Sequence, residues 1–375
     1  MSICDQKPDE RVRTGADLVS LYINPTRYCN LACKHCWLSP PVCDEVPKDS
    51  GELTSSEMIA IVKEAMGLGL GSIKLTGGEP LLSKEIWPLV EFCKSSGIEV
   101  QIETNGTLVT PEVAEKMKLL GVSHVSVSLD SAVPEKNDRL RGRKGAFEKA
   151  VSGMKNLIAA GIHPQVIMSL YKDNMDEFDV FMKLMGDVCT NDIKINSISP
   201  LGRASDLGAS GMVPSVQEVI DFYRAIRRDY ADFQGSIFMD IPAAFKSLND
   251  IFNGGCAMCG IKGILGILSD GGVSICGIGY MDSGLLFGNA RKDPKVLKDI
   301  WENTAVLEKI REDIPSKLEG VCGRCILRQR CFGSCRAEAY HNTGSLTSSF
   351  WFCQEAYNQG IFPQNRLMPH YEKTL

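Results

Sequence analysis

Three cysteines with the spacing Cys29-x3-Cys33-x2-Cys36 constrain this chain more than any other feature. They follow an apolar run at 18–23, so the thiols fall in a loop directly after a predicted strand. Thiolates are soft ligands that suit iron and sulfide, and a four-iron cluster takes one thiolate on each iron. Three thiols would leave one iron open to a small molecule. The spacing therefore predicts a catalytic iron–sulfur site presented by a strand–loop unit.

The residues of this loop also allow other interpretations. The three thiols could be free in a reducing compartment, or they could form part of a zinc site whose fourth ligand is His35. Zinc sites usually pair such cysteines with a second pair farther along the chain, and no nearby pair completes one here.

The composition excludes several classes of protein. With 44% hydrophobic and 23% charged residues, the 375-residue chain is typical of a globular protein. Its net charge of −5 offers no basic surface for nucleic acid. No apolar run approaches the ~20 residues of a membrane span, and residues 1–15 lack the apolar core of a signal peptide. We expect a cytoplasmic protein that binds neither nucleic acid nor membrane.

Between residues 18 and 200, short β-rich runs alternate with amphipathic helical runs. The predicted strands are 18–23, 72–75, 99–103, 124–129, 164–170 and 192–198. The predicted helices are 55–66, 84–95, 111–119, 146–160 and 176–188. The first helix opens with the capping-box sequence Thr54-Ser55-Ser56-Glu57. This α/β repetition favours a parallel sheet covered by helices, in which the chemistry sits where strands end.

A second motif, Gly77-Gly78-Glu79-Pro80, follows the predicted strand at 72–75. Two glycines let the backbone approach a ligand without a Cβ in the way. Glu79 could then accept a hydrogen bond from an ammonium group. Taken alone, the same four residues are also an acceptable turn.

Together the two motifs resemble those of the radical S-adenosylmethionine (radical SAM) enzymes. The resemblance implies a partial (β/α)6 TIM-like barrel in which Cys29, Cys33 and Cys36 hold a 4Fe–4S cluster, whose open iron chelates S-adenosylmethionine (SAM). Reductive cleavage of SAM gives a 5′-deoxyadenosyl radical that takes a hydrogen atom from the substrate. An electron donor such as flavodoxin or ferredoxin is the implied partner.

The same resemblance implies a set of SAM-binding residues. These are His35 near the adenine, Gly77, Gly78, Glu79 and Pro80 at the amino group, Thr104, Asn105 and Ser128 on the ribose side, and Arg141 at the carboxylate. A structural loop role for His35, a turn at Ser128 and a surface ion pair at Arg141 remain as alternatives. The segment Pro200-Leu201-Gly202-Arg203-Ala204 also matches a family habit, but its role is unassigned.

The C-terminal part is dense in cysteine, with eight of the fifteen between positions 256 and 353. Eight thiols close two four-iron clusters with no open iron. The spacing resembles the SPASM domain of radical SAM enzymes. By that resemblance one auxiliary cluster takes Cys256, Cys259, Cys276 and Cys335, and the other takes Cys322, Cys325, Cys331 and Cys353. A zinc-ribbon module with two four-cysteine sites is the alternative.

The chain divides into an N-terminal extension (1–17), the partial barrel (18–200), a linker with a bridging helix (201–250), and the cysteine-rich domain with its tail (251–375). Cys4 and Cys43 belong to none of the three thiol sets. Cys93 and Cys189 fall in apolar helical runs, and we expect both to be small core residues.

Enzymes with a SPASM domain mostly modify peptides or proteins. The resemblance therefore implies a maturase of a ribosomally made precursor peptide, by crosslinking, thioether formation, epimerisation or oxidation. Gly277 stands where the sulfatase-maturing branch carries a proposed carboxylate base, which argues against that branch. Only 28 residues precede Cys29, so we expect leader binding by a separate protein or by the barrel itself. A cofactor or tetrapyrrole biosynthesis enzyme and a non-enzymatic iron–sulfur or zinc scaffold or sensor are the alternatives.

Overall fold

The computed structural model describes residues 17–199, 201–252 and 259–369. In these residues ten strands form one sheet in the order β10-β9-β8-β1-β2-β3-β4-β5-β6-β7. The strands are β1 (Ser20–Ile23), β2 (Ser72–Leu75), β3 (Glu99–Thr104), β4 (His124–Ser128), β5 (Gln165–Leu170), β6 (Asp192–Ser197), β7 (Ser236–Asp240), β8 (Ile264–Ile267), β9 (Gly272–Ser274) and β10 (Leu286–Asn289).

The strands from β1 to β7 run parallel in chain order, and β8 pairs in parallel with the other side of β1. Only β9 and β10 run antiparallel to their neighbours. The parallel strands form the predicted partial barrel, and the C-terminal region extends the same sheet from the edge of β1. The two regions therefore share a continuous hydrogen-bonded framework.

The helices cover the outer face of this sheet and fill the C-terminal region. They are α1 (Ser55–Met66), α2 (Ile86–Ser95), α3 (Pro111–Leu119), α4 (Pro134–Arg141), α5 (Ala146–Ala159), α6 (Lys172–Met175), α7 (Phe178–Asp187), α8 (Ala204–Ala209), α9 (Val216–Asp229), α10 (Leu248–Phe252), α11 (Val296–Asn303), α12 (Ala305–Asp313), α13 (Gly320–Arg324), α14 (Arg328–Cys331), α15 (Arg336–Thr343) and α16 (Trp351–Asn358). None of them combines the length and hydropathy needed to cross a membrane.

Alternation within the strands separates two faces. In β1 and β2, every second residue is fully buried, as in Leu21, Ile23, Ile73 and Leu75. These side chains form the main core with apolar residues of the covering helices. Because side chains alternate along a strand, the residues between them face the inside of the partial barrel. The capping box at Thr54 is also confirmed, since Thr54 and Glu57 exchange hydrogen bonds at the start of α1.

The interval 201–250, predicted as a linker with one packed helix, also contains α8 and the parallel strand β7. This strand has only three consecutive apolar residues, Ile237 to Met239, which is too short a run for periodicity to identify. At the edge formed by β6, the sheet therefore continues one strand beyond the last of the six predicted strands.

Of the two cysteines that were predicted to lie in the core, one is buried and the other is exposed. Cys93 is completely buried on α2. Cys189 is exposed and adopts a left-handed backbone with φ of 60°, because the chain turns there after α7. The neighbouring Val188 takes the buried position instead. The prediction for Cys189 was wrong, and Cys4 lies outside the described residues.

Candidate active site and auxiliary thiol centres

The loop after β1 carries Cys29, Cys33 and Cys36 and is held by hydrogen bonds from two directions. The amide of Ala32 donates to the carbonyl of Arg141 at the end of α4, over 3.1 Å. The amide of Arg203, after β6, donates to the carbonyl of Cys36 over 3.0 Å. Two segments distant in sequence thus fix the backbone that presents the thiols.

The thiols of this loop lie in a low-dielectric setting. Cys29 and Cys33 are each 8% exposed, and Cys36 is half-buried. Burial raises the pKa of Cys29 to about 12; the charge of Glu79 adds to the rise, and the amide of Leu31 opposes it by donating to Sγ. A bound metal reverses this preference, because a coordinating thiol is deprotonated. The charges of Cys33 and Cys36 also act on Cys29, so the three thiols lie near one another, which fits a thiolate-ligated metal cluster.

Gly77 and Gly78 let two loops approach each other closely. The backbone of Gly77 has a φ of +105°, and a Cβ on Gly78 would lie 1.9 Å from the carbonyl oxygen of Tyr28, just before Cys29. The amide of Glu79 donates to that same carbonyl over 2.8 Å. The glycines therefore allow contact with the cysteine loop. A cavity of about 700 Å³ also opens beside them, bordered by Asn24.

The side chain of Glu79 joins the loops after β2 and β3. Its carboxylate is 1% exposed and accepts hydrogen bonds from the hydroxyl of Thr104 at 2.7 Å, the amide of Asn105 at 2.8 Å and the amide of Leu81 at 3.2 Å. Burial raises the pKa of Glu79 to about 7, although these three donors oppose the rise. Pro80 begins a short 3-10 turn behind it. Glu79 thus holds the two loops together, and its carboxylate can accept a hydrogen bond from one further donor.

Asn105 connects the loop after β3 to the cysteine loop. Its Nδ2 donates to Oδ1 of Asn30 over 2.7 Å and lies 3.9 Å from Sγ of Cys29. Asn30 was not among the predicted site residues, although it lies inside the cysteine motif. The side chains of Thr104 and Asn105 both have partners in the protein, so their first role in the described structure is to position the loops.

His35 and Arg141 meet at the buried carboxylate of Asp130. The Nε of Arg141 lies 2.7 Å from Oδ2 of Asp130, and the Nε2 of His35 lies 3.7 Å from the same oxygen. Burial lowers the pKa of His35 to about 4, against the opposing charge of Asp130. An Nη of Arg141 also lies 3.9 Å from Sγ of Cys33. Arg141 therefore lies beside the cysteine loop, to which His35 belongs. Its ion pair with Asp130 is buried, which excludes a surface ion pair for Arg141.

Arg203 belongs to this cluster although the sequence left it unassigned. Its Nε and Nη2 are buried, and neither has a hydrogen-bond partner among the described residues. Its charge contributes to the lowered pKa of His35, after burial and the charge of Arg141. Ser128 ends β4 half-buried on the inner face of the sheet. The signal for Arg203 in the sequence was the match of segment 200–204 to a family habit, for which no role was assigned.

The inner face of the sheet is largely polar. Lys74 on β2 donates to Glu103 on β3 over 3.0 Å, and Thr76 donates to the other oxygen of Glu103 over 3.2 Å. The ring of Tyr22 lies 4.8 Å from Nζ of Lys74. The further polar residues at inner positions are Ser126, Ser169, Lys194, Asn196 and Asp240. Parallel sheets usually have apolar runs on both faces, so these polar residues in the strands mark an unusual interior.

This interior adjoins the cysteines of the C-terminal region. The charge of Lys74 lowers the pKa of Tyr22, but burial and the charges of Glu103, Cys259 and Cys276 together raise it above its ordinary value. A Cβ on Gly277 would lie 3.6 Å from the ring of Tyr22. The polar interior therefore lies between the loops of the cysteine motif and the C-terminal thiols.

The described C-terminal cysteines fall into two groups. Cys259, Cys276 and Cys335 form the first: burial raises the pKa of Cys335 well above its ordinary value, and the other two thiols add to the rise. Cys256, predicted to join them, lies outside the described residues.

The second group consists of Cys322, Cys325, Cys331 and Cys353, which line one small cavity of about 20 Å³. The thiol of Cys353 donates a hydrogen bond to Cys322, which lowers the pKa of Cys322 and raises that of Cys353. This division of the thiols agrees with the pairing implied by the sequence resemblance.

Comparisons with known proteins agree with this geometry. The profile of the Radical SAM superfamily matches residues 23–185, and that of the SPASM iron–sulfur cluster-binding domain matches residues 256–326. An AdoMet-dependent heme synthase of Methanosarcina barkeri is 30% identical over 348 residues, which cover 88% of this chain and 94% of that protein. The mycofactocin maturase MftC of Mycobacterium tuberculosis is 27% identical over 369 residues, which cover 96% and 89%.

Solved structures share the fold. SuiB of Streptococcus suis with bound S-adenosylmethionine superposes with a TM-score of 0.69 at 18% identity, covering 92% of this chain and 80% of that one. The enzyme anSMEcpe with bound AdoMet and a peptide gives a TM-score of 0.68 at 20% identity, covering 91% and 97%. The arrangement of the barrel, its cysteine loop and the C-terminal thiols leads to one conclusion: this chain belongs to the radical SAM superfamily and is a radical SAM enzyme with a C-terminal SPASM domain.

Proposed function

We propose that this enzyme modifies a ribosomally synthesised precursor peptide. The observation that carries the proposal is the polar inner wall of the barrel, where Lys74, Glu103 and Tyr22 lie between the SAM-binding loops and the thiols of the C-terminal region. Lys74 and Glu103 pair with each other, so a substrate that enters this space must preserve or replace their hydrogen bonds, because buried charges without partners are unfavourable.

A peptide suits this wall better than a porphyrin does. Every peptide unit brings one N–H donor and one C=O acceptor, which match Glu103 and Lys74 respectively. Oδ1 of Asn196 is buried on the same wall without a partner among the described residues, and it would accept a further N–H. An iron porphyrin brings propionate carboxylates, which Lys74 could pair, but it has no N–H donor for Glu103 or Asn196. The 27% identity to the maturase MftC, which spans 96% of this chain, supports the same substrate class.

The geometry of the site supports an assignment of the residues that would hold the cofactors. Cys29, Cys33 and Cys36 would bind one four-iron cluster. With SAM bound there, reductive cleavage supplies the 5′-deoxyadenosyl radical that abstracts hydrogen from the substrate. The carboxylate of Glu79 can accept a hydrogen bond from the SAM ammonium group. The Nε and Nη2 of Arg203, which have no partner among the described residues and lie near His35 as Arg141 does, suit the carboxylate of SAM.

The C-terminal thiols would hold two closed auxiliary clusters, for a total of three 4Fe–4S clusters. Cys322, Cys325, Cys331 and Cys353 all line one cavity, which supports their assignment as ligands of one cluster. Cys259, Cys276 and Cys335 would form the other set together with Cys256. The set that contains Cys259 and Cys276 lies beside Tyr22 and the barrel interior, so its cluster would be an electron acceptor next to the proposed position of the substrate.

Heme synthesis is the second candidate function. Three AdoMet-dependent heme synthases are each 30% identical to this chain over 341 to 348 residues. That similarity covers both the barrel and the C-terminal domain, so it favours this candidate independently of the interior wall.

One experiment separates the two functions. The enzyme is co-expressed with each short open reading frame found beside its gene as a candidate precursor peptide, and the peptide mass is measured. Purified enzyme is assayed in parallel with an iron–porphyrin precursor for heme. A mass change in the peptide without heme formation is the expected result. Heme formation with an unmodified peptide would establish the second candidate instead.

The interior wall is tested by Lys74→Met, with Glu99→Gln as the control at the exposed start of β3. Loss of one charged hydrogen bond of about 1.5–3 kcal/mol should raise the KM for the peptide roughly ten- to a hundredfold. The control should retain the parent value. An unchanged KM in Lys74→Met would remove the wall from the binding site.

A further inference from the structure

Arg336 is the most deeply buried cation in the described residues, and no carboxylate pairs with it there. Its side chain is 0% exposed and is among the largest completely buried side chains. The guanidinium donates to the backbone carbonyls of Leu346, at 3.1 Å, Ser348, at 2.6 Å, and Gly333. Its Nε has no hydrogen-bond partner. Carbonyl dipoles solvate this charge, but they do not neutralise it.

The position of Arg336 relates it to both groups of thiols. It follows Cys335 directly, and its own amide donates to the thiol of Cys259. On the other side, the guanidinium packs against Gly333, where a Cβ would lie 2.8 Å from Cζ of Arg336. Gly333 lines the cavity of the second thiol group. One side chain therefore lies behind the walls of both thiol centres.

We propose that Arg336 is a shared internal counter-cation for the two auxiliary clusters, which raises the reduction potential of both. A buried cation without an anionic partner is strongly unfavourable, whereas two clusters ligated by thiolates supply negative charge on either side of it. A fixed positive charge stabilises the more negative, reduced state of a cluster. Higher potentials would suit both clusters to accept an electron from the side of the substrate. The inference rests on the proposed assignment of two auxiliary clusters.

The test compares Arg336→Gln, which removes the charge, with Arg336→Lys, which keeps it. The control is Arg311→Gln, because Arg311 also donates to a backbone carbonyl, that of Trp301, but contacts no thiol. Cluster potentials are measured by redox titration followed by electron paramagnetic resonance on the reconstituted enzyme. Iron content and absorption of the parent enzyme check the two-cluster assignment separately.

We expect both auxiliary potentials to shift to more negative values in Arg336→Gln, with that of the SAM-binding cluster unchanged. Arg336→Lys and Arg311→Gln should stay near the parent values. If Arg336→Gln fails to retain auxiliary iron while Arg336→Lys retains it, the proposal is also supported. The proposal would be overturned if Arg336→Gln shifted the potential of neither auxiliary cluster or of only one. It would also be overturned if Arg336→Lys and Arg336→Gln showed equal shifts in potential or equal loss of iron.

Discussion

The hydroxyl of Thr104 donates a 2.7 Å hydrogen bond to the carboxylate of Glu79, and this contact joins the ends of two neighbouring strands. The same carboxylate also accepts the amide of Asn105, whose side chain reaches the cysteine loop through Asn30. The loops after β1, β2 and β3 therefore form one hydrogen-bonded unit. A change at Glu79 affects the position of the whole SAM-binding region.

Replacing Glu79 by Ala should weaken SAM binding about ten- to a hundredfold, because it removes a charged hydrogen bond and loosens the loop after β3. Thr104→Val removes only one of the three bonds to the carboxylate and should have a smaller effect. Isothermal titration with SAM on the reconstituted enzyme measures both. Parent-like affinity in Glu79→Ala would refute the role given to this residue.

Replacing Cys29, Cys33 and Cys36 together by Ala should remove about four of roughly twelve irons per chain. The remaining iron should persist, because the C-terminal thiols belong to a separate region. Formation of 5′-deoxyadenosine from SAM should be abolished. Iron analysis and chromatography of the reaction products test both statements. Stoichiometric zinc without cluster absorption in the parent protein would contradict the assignment.

Replacing Cys353 by Ala should affect the cluster of its own thiol group and spare the other auxiliary cluster. The variant should lose about four irons, keep SAM cleavage and lose peptide modification. Cys93→Ala is the control, since Cys93 is completely buried on α2 among apolar neighbours. Full peptide modification by Cys353→Ala would show that this cluster has a structural role only. The Cys93 variant should match the parent in iron content.

The ion pair between Lys74 and Glu103 should make stability depend on acid pH. Burial alone would raise the pKa of Glu103, but Lys74 and Lys194 lower it to about 2, below its ordinary 4.5. Folding therefore favours the ionised form, and the contribution is complete above pH 4.5 and lost as the pH falls towards 2. In urea unfolding of cluster-free protein, Glu103→Gln should be less stable than the parent above pH 4.5. The difference should shrink at lower pH, while Glu99→Gln should show no such trend.

The sequence predicts the framework well because its signals are local. The strand at 72–75 is confirmed at both ends, and five others agree within two residues, since alternating burial and flanking turns define them. The grouping of the C-terminal cysteines into two clusters, implied by the thiol spacings, stays a prediction. Both signals depend on residues that are close together in the chain.

Contacts between distant segments were not predicted. The pairing of Asp130 with Arg141 joins the end of β4 to the end of α4, and nothing in the spacing indicates that one carboxylate also faces His35. Arg336 was missed because a single arginine after a cysteine has no pattern of its own. The alternation of Tyr22, Lys74 and Glu103 with buried residues in β1, β2 and β3 could have indicated the polar interior, because buried parallel strands rarely contain such residues.

The parallel pairing of β8 with β1 has a consequence for how the chain is synthesised. Strand β1 leaves the ribosome before β2 to β10 and acquires its second neighbour only after the whole barrel segment and the region up to Ile267 have emerged. Until then one edge of β1 exposes unpaired backbone groups, which are a template for association with other chains. A protein truncated before β8 would keep that edge permanently, so we expect the isolated barrel to aggregate. The C-terminal domain therefore also completes the fold of the domain that precedes it.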